Sequence, residues 1–209
     1  GPNDIDSDSE YFPIPHFSKS WNNGEGRGIA LSIYGRGGMN TDWRGGTATF
    51  DPDGPGPAGP TQFPGTFGAG DAGVDLSQAF LDLAFAWQIN DRLSLGVSPM
   101  LAMQIFEATG VQTFAPFTKT YAEGFLSTGM PGDVQNLSNN GHDTSYGYGV
   151  KVGLHTSLTD ALDLGVMYQS KLWMTEFDDY ADLFAEQGDF DIPANFKIGL
   201  TWQSSDTLA

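Results

Sequence analysis

The stretch Leu76 to Gln104, LSQAFLDLAFAWQINDRLSLGVSPMLAMQ, constrains this chain more than any other. Ala79, Leu81, Leu83, Phe85, Trp87 and Ile89 occupy its odd positions, and Gln78, Asp82, Ala84, Ala86 and Gln88 the even ones. After Asn90-Asp91 the alternation resumes with Leu93, Leu95, Val97, Pro99, Leu101 and Met103. Period-2 patterning means two β-strands, and Asn-Asp is tight-turn chemistry. Each strand runs to about a dozen residues, long for a soluble sheet. Long alternating strands joined by short turns at one end and long loops at the other mark a transmembrane β-barrel.

Six further stretches fit this pattern. Tyr11 to Trp21 is an irregular strand with Pro13 and Pro15, which need an edge or a bulge. Gly28 to Gly35 places Ile29, Leu31 and Ile33 on one face. Tyr146 to Leu158 separates Tyr146, Tyr148, Val150 and Val152 from Gly147, Gly149, Lys151, Gly153 and His155. Past Thr159-Asp160 the apolar face continues through Leu162, Leu164, Val166, Tyr168, Leu172 and Met174, and Asp189 to Gln203 forms the seventh strand. Connections near 22–27, 90–91, 159–160 and 204–206 are short; those at 36–75, 105–145 and 175–188 are long. That strict alternation is up-and-down topology.

The long loops are not featureless. The 36–75 segment is rich in glycine and proline and cannot bury a core of its own. In 105–145, Phe114, Phe117, Tyr121 and Phe125 share one face of a short helix, with Phe106 and Leu126 nearby. In 175–188, Thr175 and Asp178 resemble a capping box, Gly188 can end the helix, and Phe177, Tyr180 and Phe184 form its apolar side. These aromatics either pack down on the loops or line an apolar entrance. The second reading makes Phe106, Phe114, Phe117, Tyr121, Phe125, Leu126, Phe177, Tyr180 and Phe184 candidate ligand contacts.

Trp21, Trp87 and Trp202 each precede a short turn on the apolar parity, as an interfacial girdle requires; Tyr146 and Tyr148 take the opposite rim. Lys151, His155, Lys171 and Lys197 fall on polar faces. They belong to a wet lumen, and become partners for the carboxylate of a passing amphiphile if one enters.

Composition removes other classes. A net charge of −17 opposes nucleic-acid binding. The chain has no cysteine, hence no disulfide framework or thiolate metal site. No GxSxG or HExxH occurs, and the GRGG glycines lack a following GK[ST]. His16, His142 and His155 lie on different elements, and Asp178-Asp179 sits at a helix start, where the dipole favours it. Asp4, Asp6 and Asp8 alternate like a calcium loop, but the glycine and terminal Glu of such a loop are missing. No metal, cofactor or catalytic residue is expected.

The stretches FPIPHFSKSW, GIALSIYGRGGMNTDW, LAFAWQINDRLSLGVSP, YGYGVKVGLHTSLTDALDLGVMYQSK and GDFDIPANFKIGLTWQSSD together resemble the FadL/TodX-type outer-membrane transporters of long-chain fatty acids and aromatic hydrocarbons. The resemblance implies a fourteen-stranded barrel plugged by an N-terminal hatch, an apolar groove of extracellular loops and lateral exit through a kinked strand. Residues 1–209 would then be one partial barrel domain of about seven strands, an internal piece lacking the hatch, the first strand and the C-terminal strands. The expected protein is a monomer of a Gram-negative-type outer membrane, surrounded by its lipid, passing hydrophobic molecules unchanged. A general porin is the rival reading, and a soluble β-rich binding or adhesion module the third.

Overall fold

A computed structural model describes residues 5–51, 57 and 59–203. The expected turn at 204–206 and Asp4 of the acidic alternation lie outside these residues. The chain runs β1 (His16–Asn22), β2 (Arg27–Trp43), β3 (Thr47–Phe50), β4 (Thr61–Pro64), β5 (Ala72–Asn90), β6 (Leu93–Thr109), α1 (Lys119–Thr128), β7 (Asp143–Thr159), β8 (Leu162–Gln169), β9 (Trp173–Met174) and β10 (Asn195–Trp202). One antiparallel sheet has the order β1-β2-β5-β6-β7-β8-β10, with β9 also paired to β7; β3 and β4 form a separate hairpin. The sheet does not close on itself among the described residues, so β1 and β10 are its edges.

Sequence-local chemistry closes the short turns. The Asn90 side chain accepts the Arg92 and Leu93 N–H groups at 2.9 Å, and Asn23 accepts those of Glu25 and Arg27. The long loops are shorter than expected, because strands climb further: β2 continues to Trp43, β5 starts at Ala72, β6 ends at Thr109 and β7 starts at Asp143. Glycine hides the continuation of β2. Arg36 pairs with Gln78 and Met39 with Leu76, so two glycine positions bulge opposite Ser77. A Cβ on Gly38 would collide with the Leu76 carbonyl.

The two faces behave as the alternation demands. Leu81, Leu83, Trp87, Leu95, Leu101, Val152, Phe196 and Leu200 are outward and exposed; Phe80, Asp82, Ser98, Met100, Ala102 and Gln104 are inward and buried. Register sets the tilt. The row through Trp21 runs Ile29, Phe85, Val97, Val152, Tyr168, Phe196. Trp87 therefore lies two residues below that row after two strand steps, and Trp202 six below after six. A level line that drops one residue per strand corresponds to strands tilted by about 35°, from ~3.3 Å per residue and ~4.8 Å between strands. That is a membrane-barrel tilt. On β7 the same line passes Thr156, and Tyr148 and Tyr146 stand eight and ten residues above it. Along the membrane normal this is roughly 22–27 Å, matching the ~25 Å apolar band of such barrels. Lys19 and Arg27 are cations on the outward parity; Arg27 pairs with Trp87 at the level of the tryptophans, and Lys19, two residues above Trp21, can bring its ammonium down to the interface along its stem.

Two strand expectations fail. The seventh strand begins at Asn195 and not at Asp189, with Ile192 buried in the inner packing while Phe196 is exposed. The other concerns parity after β8. Leu172 and Met174 do not continue the outward face of β8. The strand stops at Gln169, and Trp173 resumes pairing opposite Tyr148. The extra residue reverses parity: Trp173 points out, 5.7 Å from the Tyr148 ring, while Leu172 is fully buried inside. Gly149 makes room, since a Cβ there would lie 2.9 Å from Leu172 Cγ. Leu172 then exchanges backbone hydrogen bonds with Ile192.

The helices differ too. A 3-10 turn (Gln112–Phe117) containing Pro116 precedes α1, so the expected single helix is two. Thr118 caps α1 by accepting the Tyr121 N–H, and Gly129 ends it at φ 74°. In the last loop only a 3-10 turn (Asp178–Tyr180) forms, and its cap position is Phe177. There is no capping box, because Thr175 Oγ1 accepts the Tyr146 N–H instead.

Leu83→Arg, outward at mid-membrane, is expected to destabilise the full-length protein in vesicles by about 2–4 kcal/mol. Ala84→Arg, on the inward parity, is expected to cost far less. Urea unfolding of the two variants measures the difference.

Candidate functional site

The bulge in β2 opens a cavity of about 630 Å³ in the sheet. Phe12, Ile14, Phe17, Ile33, Met103 and Ile105 give it an apolar side on the outward face, and His16, Tyr34, Arg36 and Gln78 a polar side on the inward face. Its lining therefore comes from both faces of the sheet, where ladder pairing is interrupted. The Phe12–Pro15 segment flanks it because two prolines cannot extend β1; one remaining link is the Gly35 N–H donating to the Pro15 carbonyl at 2.8 Å.

Behind the cavity stands a buried column. Tyr34 stacks on Phe80 at 5.2 Å, and the Arg36 guanidinium sits 5.5 Å over the other residue of that pair, Phe80. Phe80 packs with Met100, Ala102, Leu172 and Ile192. Below it Lys151 Nζ donates to Asp82 Oδ2 at 2.6 Å, and the Tyr34 hydroxyl donates to the same oxygen at 3.2 Å. Asp82 Oδ1, Gln169 Nε2 and Asn195 Oδ1 are buried there without a hydrogen-bond partner. Lower still, Gly28, Ala86, Gly96 and Gly153 form one bare row across four strands, with His155 and Lys197 exposed nearby.

The four cations proposed from sequence thus divide. Lys151 faces Asp82, and Lys171 pairs with Asp191, so both charges are neutralised within the chain. His155 and Lys197 have no ion pair among the described residues, but sit low on the inner wall. Arg36, which the sequence reading passed over inside an assumed loop, is the cation on the cavity.

The loop aromatics also divide. Phe106 is the hub of a buried cluster, with ring centroids of Tyr180 at 4.9 Å, Phe184 at 5.1 Å and Phe177 at 5.6 Å. Phe177 and Tyr180 are wholly covered, so they form the core of the loop assembly. Phe114, Phe117, Tyr121, Phe125 and Leu126 make a second, open group; Phe117 is 84% and Leu126 88% exposed. Phe114 reaches Phe67 at 5.4 Å, which ties this group to the first long loop. Asp182 fastens the last loop to the middle one by accepting the Asn136 N–H at 2.9 Å and the Thr120 hydroxyl. His142 lies between Asp75 (3.1 Å) and Glu107 (3.2 Å) and clips the middle loop to β5 and β6.

Trp21, Trp87, Trp202, Tyr146 and Tyr148 all project outward and are exposed, with Trp173 added beside Tyr148. Among the described residues no group of His, Cys, Asp or Glu is placed to hold a metal.

The chain matches, over residues 5–205, the family described as outer membrane protein transport protein (OMPP1/FadL/TodX). No single curated protein matches it by sequence. Among solved structures it is similar to the P. putida toluene transporter TodX, with TM-score 0.64 and 16% identity over 96% of this chain and 53% of that one. It is also similar to the Ralstonia pickettii toluene transporter TbuX, with TM-score 0.59 and 16% identity over 92% of this chain and 51% of that one. The chain spans about half the length of these solved structures.

Two results are expected. Phe106→Ala should cost about 3–5 kcal/mol of stability, and Phe117→Ala no more than ~0.5 kcal/mol, by urea denaturation. Burial raises the Tyr180 phenol above its ordinary range, with Glu107 adding to the shift. The neutral hydroxyl donates to the Gly141 carbonyl at 2.6 Å. With the folded value above the unfolded one, this stabilisation is present below about pH 10 and is lost as pH rises through the folded value. Protease resistance of the loops should fall in that range, and Tyr180→Phe should remove the step.

Proposed function

The chain belongs to the OMPP1/FadL/TodX family of outer membrane transport proteins, and from that premise we propose that the whole protein takes up hydrophobic small molecules, long-chain fatty acids or aromatic hydrocarbons, by passive passage. The observation that carries this reading is the cavity at the β2 bulge, lined by apolar side chains of the outward parity and polar ones of the inward parity. A general porin needs an open aqueous lumen. Here the upper inner face is filled by Phe80, Met100, Leu172 and Ile192.

In this reading a ligand first meets the open aromatics, Phe114, Phe117, Tyr121, Phe125 and Leu126, losing hydration worth about 25 cal/mol per Å² of apolar area covered. Phe106, Phe177, Tyr180 and Phe184 hold the loops that present them. The ligand then reaches the wall cavity and leaves sideways into lipid. No bond is made or broken, so the chain's task is to exchange one apolar surrounding for another without exposing the ligand to water.

The sheet edges at β1 and β10 call for neighbours, because unpaired backbone groups in hydrocarbon cost several kcal/mol each. We take residues 1–209 as one part of a larger, fourteen-stranded barrel, and the bare row at Gly28, Ala86, Gly96 and Gly153 as room for its hatch. Solvating lipid and the hydrophobic ligand are its partners, the proposed state is monomeric, and no catalysis or cofactor is assigned.

Uptake of a labelled aromatic hydrocarbon by cells carrying the full-length protein tests the route. Phe117→Asp with Phe125→Asp, or Ile33→Trp to fill the cavity, should slow uptake about tenfold, equivalent to ~1.4 kcal/mol. Unchanged uptake in both would remove the loop-to-wall route. Faster passage of small sugars than of hydrocarbon would favour the porin.

A further inference from the structure

We infer that His142 is a pH-operated latch on the loops. With its ring doubly protonated it ties the tops of three neighbouring strands together, and on losing one proton it lets the base of the middle loop loosen. The latch concerns how firmly the loops are held, and works whatever molecule the protein carries.

The first observation is register. Asp75 of β5 and Glu107 of β6 are paired directly across the ladder. Like charges directly opposite one another weaken a sheet. Both continue the outward parity of their strands, and His142 continues that of β7, two residues beyond Thr144. The three side chains therefore stand side by side on three strands, four residues above Tyr146 and past the outer tyrosines.

The second observation is that both ring nitrogens are used. Nε2 lies 3.1 Å from Asp75 Oδ2, and Nδ1 lies 3.2 Å from Glu107 Oε2. An ionised carboxylate only accepts, so each contact is a hydrogen bond only when that nitrogen carries a proton. Neutral imidazole has one such proton and must turn a lone pair on one of the two carboxylates. The closed latch thus holds one proton more than the open one, which makes it the low-pH state. It is favoured while the ring is charged, and is lost as pH rises through the range in which histidine gives up its proton, about pH 5–8.

The third observation is that no other group takes over the bridge. Among the described residues neither carboxylate has a lysine or arginine partner. Asp75 is otherwise met by Asn40 Nδ2 at 3.0 Å and the Ser77 hydroxyl at 3.4 Å, both uncharged. Glu10, from the segment before β1, lines the same hollow as Asp75 and adds negative charge, which also favours the charged ring. Asp42 and Asp8 are paired with Arg44, and Asp143 accepts the Thr144 and Asp179 N–H groups. The Tyr180 hydroxyl, raised above its ordinary range, stays neutral here and holds the Gly141 carbonyl.

The latch acts on the loop base beside it. There the Asn139 N–H donates to the Ala108 carbonyl at 2.8 Å, and Ser138 Oγ accepts the Val111 N–H at 3.1 Å. These bonds close the loop that carries Phe117 and Phe125. With Asp75 and Glu107 facing each other unbridged, the ends of β5 and β6 repel and the base opens more often.

Hydrogen exchange of the full-length protein in lipid vesicles tests this, followed peptide by peptide and corrected for the intrinsic pH dependence of amide exchange. Protection of residues 136–144 is expected to fall about three- to tenfold between about pH 5 and about pH 8, while that of β8 stays level. His142→Lys keeps a cation between the carboxylates and should hold the low-pH protection throughout. His142→Asn should show the wild type's high-pH protection with no step. Asp75→Asn combined with Glu107→Gln removes both acceptors and should abolish the step from the other side. A wild type with no step in residues 136–144 overturns the inference, whatever the variants do. So does a step that survives His142→Asn, which would place the titration at another group.

Discussion

Hydrocarbon offers no hydrogen-bond partner, and the rest of this structure follows from that. Backbone groups at membrane depth must be satisfied by neighbouring strands, so the chain is committed to one continuous ladder from β1 to β10. Side chains that meet lipid must be apolar, so every strand carries a two-residue period. The polar residues needed for anything else are confined to the inner face and the loops. Where the ladder is broken, at the β2 bulge and at the end of β8, the break must be compensated locally. At the end of β8 the Leu172–Ile192 bridge does this, and beside the β2 bulge the Pro15 carbonyl extends the β1 pairing by accepting the Gly35 N–H.

Those two breaks have different consequences. At β8 the extra residue turns Leu172 inward to complete the packing around Phe80, which fills the interior. At β2 the extra residue is one of two adjacent glycines and leaves space instead of filling it. The same irregularity therefore adds packing to the inner face in one place and leaves a cavity beside the ladder in the other. The column Tyr34–Phe80–Arg36 connects the two, since Phe80 belongs to the inner packing and meets Tyr34 and Arg36, which line the cavity.

Most of the fold is legible in the sequence because lipid is an unforgiving solvent and leaves its period on each strand. The seven strands of the path, their direction, the short turns near 22–27, 90–91 and 159–160 and the outward side of Trp21, Trp87 and Trp202 all come from that period. What escapes is what interrupts it. The glycines after Arg36 read as loop, yet glycine is there to let β2 bulge and continue. Leu172 reads as outward because parity cannot reveal one inserted residue. The helical spacing of Phe177, Tyr180 and Phe184 is real as a pattern of burial, but it is satisfied by a 3-10 turn packed on Phe106. Lys151 and Lys171 look like open cations because their partners, Asp82 and Asp191, are distant in sequence and become neighbours only across the sheet. Arg36 was hidden for the same reason as the bulge itself.

The common level of the girdle is the most direct measure of this account, because it joins register, tilt and membrane in one quantity. Versions of the full-length protein retaining only Trp21, Trp87 or Trp202 can be placed in vesicles containing lipids brominated at defined depths. The register predicts quenching of all three at one shared interfacial depth, although they stand two and six residues apart along the pairing row. Depths that step outward from the bilayer centre from Trp21 to Trp202, or tryptophans that bromine does not quench, would contradict a tilted sheet facing lipid.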